Sequence, residues 1–148
     1  FAVAKPLDKA FLGINGVVSA TWDDQSKNGE PIKIYITLQN IENLAATYEE
    51  LNSGAKKILG KKPFKIVIRD SRSAELEYFN YKVHYLVQEA IFTGNFSSMA
   101  ERMATTAQEE NIDLWIYVDA ENVYMQMKKD AAQMYTIISR QSGSREVK

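Results

Sequence analysis

The sequence predicts an α+β protein: a largely antiparallel sheet with helices on one face, in the order β-β-α-β-α-α-β-β-β. Three observations predict it. Period-two apolar runs cluster towards the two ends of the chain, period-3.6 runs fill the middle, and Gly, Pro, Asn and Asp mark the joins. With 148 residues, the length suits one domain that buries its own core. The expected organisation is a single α+β domain over 1–148, with 1–11 as a post-anchor segment and 141–148 as a flexible polar tail.

The elements follow in order. Residues 5–11 suit a short helical turn before Gly13, and "NGVVSATW" from Asn15 to Trp22 is β-branched and reads as a strand. The turn cluster from Asp23 to Pro31 centres on Asn28-Gly29, the strongest short hairpin signal. In "IKIYITL", Ile32, Ile34, Ile36 and Leu38 alternate with Lys33, Tyr35 and Thr37, so one strand face is buried and one is wet. A helix is expected from a cap at Asn40 to Leu59. Ile41, Leu44, Tyr48, Leu51, Ala55 and Ile58 form its stripe, and Gly60 and Pro63 end it.

"FKIVIRD" (Phe64 to Asp70) is the next strand, and Asp70, Ser71 and Ser73 are candidate caps for a helix from Ala74 to Thr93. Gly94-Asn95 breaks that helix. Ser97 or Ser98 is expected to cap a further one reaching Glu110, with Met99, Met103 and Ala107 inward. Strands at Asp113 to Asp119, Asn122 to Lys128 and Gln133 to Arg140 close the fold.

The Ala74–Thr93 helix is the unusual element. On a wheel at about 100° per residue, Leu76, Phe79, Val83, Leu86 and Ala90 gather on one side. Tyr78, Tyr81, Tyr85 and Phe92 gather on the other, leaving Glu75, Lys82 and Glu89 in a narrow wet lane. A helix on a sheet needs one apolar stripe, so the second must be covered by the rest of the chain or by a partner. Tyrosine suits a contact surface because it buries a large ring while its hydroxyl stays wet. The candidate partner-binding residues are therefore Tyr78, Tyr81, Tyr85 and Phe92, facing a protein partner or a second copy as a homodimer.

Other chemistry is weakly represented. His84, the single histidine, sits between the stripes with Glu77 two turns away, about 10 Å along the axis, too far to orient it as a base. Zero cysteines and one histidine exclude disulfides, a cysteine nucleophile and the usual zinc sites. No metal, catalytic residue or cofactor is expected, and no phosphate-binding loop, dinucleotide fingerprint or nucleophile elbow occurs. Asp119 and Glu121 lack the repeated acids of a calcium loop. Asn95-Phe96-Ser97 has the form of a glycosylation sequon.

A second, separate surface is Lys33, Tyr35 and Arg69, with Lys65 beside them and Trp115, Tyr117, Tyr124 and Lys128 joining by register. Basic residues among aromatics on a sheet suit a small ligand or unpaired bases. The net charge of −1 and the missing ribonucleoprotein signature argue against nucleic acid.

The run from Leu38 to Ile91, followed by Ile116 to Asp119 and "ENVYMQMK", resembles uncharacterised extracytoplasmic domains of single-pass membrane proteins of Gram-positive spore-forming bacteria. The resemblance spans about residues 30–140 in texture and brings no diagnostic motif or catalytic residue. It implies a domain held outside the membrane by an N-terminal anchor. Phe1 to Pro6 would be where that anchor ends, and Ala2-Val3-Ala4 has the small-x-small form of a cleavage site. The expectation is a non-enzymatic, extracytoplasmic, membrane-anchored contact domain; cytoplasmic residence is the other compartment the composition allows.

Overall fold

The computed structural model describes residues 9–23 and 29–141. The anchor-end residues, Asn28 of the expected hairpin turn and most of the polar tail lie outside the described residues.

The strands are β1 (Val17–Asp23), β2 (Ile32–Leu38), β3 (Phe64–Arg69), β4 (Asp113–Val118), β5 (Asn122–Lys129) and β6 (Ala132–Ser139). The helices are α1 (Leu44–Leu59), α2 (Ala74–Thr93) and α3 (Phe96–Glu109), preceded by a helical turn at 9–12. The fold is α+β and the order of elements is the predicted one. Six strands that sequence pattern would set in one sheet are shared between two of three strands each, β1-β2-β3 and β4-β5-β6. The chain divides into two compact units, one ending at Asp70 and one beginning at Ser71.

In the first unit β1 and β2 are antiparallel, whereas β2 and β3 run parallel, with Ile34 opposite Ile66 and Ile36 opposite Ile68. The reason is α1. A helix between two strands carries the chain back to its starting end, so the second strand enters in the same direction as the first. Ile34, Ile36 and Leu38 are buried, as are Leu44, Thr47, Leu51, Ala55 and Leu59 of α1, so helix and sheet close one core. Phe11 is fully buried and its ring lies where a side chain on Gly54 of α1 would point. Asn40 does not cap α1. It takes a left-handed turn at φ 54°, which asparagine tolerates, and Asn43 accepts from the Ala46 amide at 3.1 Å instead.

The second unit is an antiparallel meander under two helices. Val123, Met125 and Met127 of β5 and Met134 of β6 face Leu76, Phe79, Val83, Val87 and Ala90 of α2 and Met99, Met103 and Ala107 of α3. Burying each such side chain contributes about 1.5–3 kcal/mol. Leu86, which spacing places in the seam, is only half-buried, and Val87, one residue on, takes the buried position instead. Ser73 caps α2 through the Leu76 amide, and Gly94 ends it at φ 80°. The α3 cap is Asn95, bonded to the Ser98 amide at 3.2 Å, rather than Ser97 or Ser98. Asparagine directly after the left-handed Gly94 already stands where the helix must begin.

Candidate interaction surface

Three charged side chains on α2 are tied to neighbouring elements. Glu75 receives the Lys129 ammonium at 2.7 Å, Glu89 receives Arg102 at 3.0 Å, and Lys82 pairs with Glu110. The Glu75 carboxylate raises the Lys129 pKa above its ordinary value, partly opposed by desolvation. These pairs flank the side of α2 that turns Leu76, Phe79, Val83, Val87 and Ala90 inward, and it is that buried seam that sets the helix rotation.

Outward point the four rings singled out by spacing. Tyr78 is 60% exposed, Tyr81 65%, Tyr85 69% and Phe92 86%. They span roughly 60° of arc at 100° per residue, opposite the buried seam. The stripe runs from residue 78 to 92, about 21 Å along the axis. Lys82 stands over the Tyr78 ring at 5.0 Å, a cation on an aromatic face. Isolated exposed apolar side chains are ordinary on a protein surface, but four exposed aromatics aligned on one helix face are not.

His84 lies on the border of this stripe, exposed, with its ring edge-on to Tyr85 at 6.1 Å. Glu77 lies on the same border two turns earlier. It forms no ion pair with any other described residue, in contrast to the three charges on the opposite border.

The second predicted surface divides. Lys33, Tyr35 and Arg69 lie on one face of the first sheet, with Lys33 directly opposite Lys65 and Thr37 opposite Arg69. The Arg69 guanidinium sits over the Tyr35 ring, 4.5 Å from its centroid. Trp115, Tyr117, Tyr124 and Lys128 belong instead to the second sheet, so they do not extend that ladder. Trp115 and Lys128 are exposed there, while Tyr124 is buried. With Tyr124 on the face opposite the helices are Gln126, Gln133 and Tyr135, all buried, with the Tyr135 hydroxyl donating to Gln133 Oε1 at 2.6 Å. Their polar-aromatic alternation is the pattern of a half-wet face, and nothing in it marks the amides as buried.

A cleft of about 490 Å³ opens between the end of α3 and β4, lined by Ala104, Gln108, Asn111, Asp113 and Trp115 among others. It offers amides and one carboxylate but no nucleophile or imidazole. At the β4–β5 turn the Asp119 carboxylate accepts from the Asn122 and Glu121 amides and from the Tyr124 hydroxyl at 2.6 Å. Desolvation pushes its pKa up, but these hydrogen bonds and the Arg140 charge outweigh it and hold the group below its ordinary value. That is a turn lock rather than a reactive acid. Among the described residues no three His, Asp or Glu side chains gather as a metal site, and no helix is long and apolar enough to cross a membrane.

Comparison of the chain with protein-family models, with curated proteins and with solved structures found no match.

Proposed function

We propose that this protein is a non-enzymatic association domain whose contact surface is the outer face of α2. One observation carries the reading: Tyr78, Tyr81, Tyr85 and Phe92 stay mostly exposed along one helix while its other side is sealed into the core. Natural monomers seldom leave such an aligned aromatic row to solvent, and tyrosine-rich patches are where binding energy concentrates. The exposed His84, with Glu77 two turns away, supports the non-enzymatic part of the proposal. The resemblance to extracytoplasmic bacterial domains supports placing its work outside a membrane, behind an N-terminal anchor.

Small-ligand or single-stranded nucleic-acid binding at Lys33, Tyr35 and Arg69 has less support. Arg69 already occupies one face of the Tyr35 ring, and a stacked base would have to displace it. Replacing Tyr81 and Tyr85 together with serine tests the main reading. The double variant is expected to keep the circular-dichroism spectrum and melting temperature of the parent to within a few degrees. Unfolding of that variant would show the rings to be core and end the proposal.

A further inference from the structure

The aromatic row has a pattern along its length that fits one particular occupant. Tyr78, Tyr81 and Tyr85 are arranged about Tyr81 so that a rod running the opposite way, with its dyad beside residue 81, sets Tyr81 against its own copy and Tyr78 against Tyr85. In such a pair each border of one helix meets the same border of the other, because a dyad lying in the interface plane reverses direction without exchanging sides. Glu77 and His84 share one border and are spaced seven apart. Reversal about residue 80 or 81 therefore brings Glu77 of each copy beside His84 of the other. The ring pairs and the carboxylate–imidazole pairs call for the same register to within one residue. Imidazole donates a hydrogen bond to a carboxylate whether or not it carries the second proton.

The area suits a weak, reversible pair. The three tyrosine rings, roughly 200 Å² each and exposed by 60–69%, offer about 400 Å² per copy. Two copies bury about 800 Å² from these rings, at the small end where associations are transient. The opposite border carries Glu75, Lys82 and Glu89, each already neutralised within its own chain. A parallel pair would instead set Glu77 against that border, where it meets Glu75 and Lys82 already engaged.

We infer that the α2 face binds a second copy of this chain, antiparallel, with Tyr81 at the dyad and Glu77–His84 contacts made twice. The inference rests on the reading of α2 as a contact surface and adds the occupant and its register. Phe92 then falls beyond the partner's first turn and contributes less than the tyrosines.

Sedimentation equilibrium of the full chain at neutral pH, from low to roughly 100 μM, tests it. The parent chain is expected to dimerise reversibly. Glu77→Lys is expected to weaken the dimer roughly five- to tenfold, and Glu77→Lys with His84→Glu to restore most of that loss. A Phe92→Cys variant, in a chain without other cysteines, is expected not to cross-link to itself with a short bis-maleimide, the two sites lying about 33 Å apart along the axis. A parent chain that stays monomeric, a double charge variant no better than the single one, or efficient self-cross-linking at position 92 would each overturn the inference. A monomeric parent beside a well-folded Tyr81→Ser/Tyr85→Ser variant would leave the contact surface standing and assign it to a different protein. Unfolding of that serine variant would remove both.

Discussion

Arg69 holds its guanidinium over the ring of Tyr35, 4.5 Å from the centroid, so one cation bridges the edge strand β3 and the central strand β2. Lys33 and Lys65 repel across the same pair of strands, which leaves the Arg69 contact as an attraction offsetting a like-charge neighbour. Arg69→Ala is expected to cost about 0.5–1 kcal/mol. Urea unfolding of parent, Arg69→Ala, Tyr35→Leu and the double variant would measure the coupling, and additive losses would mean the ring contributes nothing through the cation.

The two sides of α2 should respond oppositely to the same chemical change. Phe79 is fully buried between α2, α3 and the second sheet, and Phe79→Ala is expected to cost about 3–5 kcal/mol. Phe92→Ala, at a site 86% exposed, should stay within about 0.5 kcal/mol. Denaturant midpoints taken at concentrations too low for association make the comparison.

The ends of α2 carry separate contributions. The Ser73 hydroxyl accepts from the Leu76 amide at 3.3 Å, and Ser73→Ala should cost about 1 kcal/mol. Gly94 sits at φ 80° with open space where a side chain would point. Gly94→Ala therefore meets backbone strain without a clash and should also cost about 1 kcal/mol. Thermal melts of the two single variants and their combination should show near-additive losses.

Asp119 makes stability depend on acidity. Its folded pKa lies below the ordinary 3.8, so its contribution is fully present above that value and disappears as pH falls through the lower, folded one. Asp119→Asn keeps an amide oxygen for the turn but has no charge to titrate. Melting temperatures followed from pH 6 downward should fall more steeply in the parent than in the variant below about pH 4. Parallel curves would show that the carboxylate is not coupled to folding.

Much of this was legible in the residues, and the failures have physical causes. The α2 boundaries came out as expected because a serine cap and a left-handed glycine fix both ends locally. The second stripe was legible because helix faces repeat every 3.6 residues, but whether its rings are covered by their own chain depends on tertiary packing that spacing does not encode. Strand partners were less legible. A strand's sequence states which face is apolar, not which strand lies beside it, so the division into two sheets left no local mark. The parallel β2–β3 pairing did leave one, in the helix-length connection between two strands, which distinguishes that pair from the antiparallel meander. Cap positions slipped by two or three residues because Asn40, Asn43, Asn95, Ser97 and Ser98 are all competent caps, and only the backbone angle selects among them.

The two halves differ in how far apart in sequence their strand partners lie. The β4-β5-β6 meander joins neighbours through tight hairpins, whereas β2 must wait for all of α1 before β3 exists to pair with it. Sequence-local pairings form sooner than distant ones. During synthesis β1 and β2 therefore stand as an open strand pair until β3 emerges, with Ile34 and Ile36 unsheltered, and such intervals are when nascent chains are most prone to stick to one another or to require a chaperone.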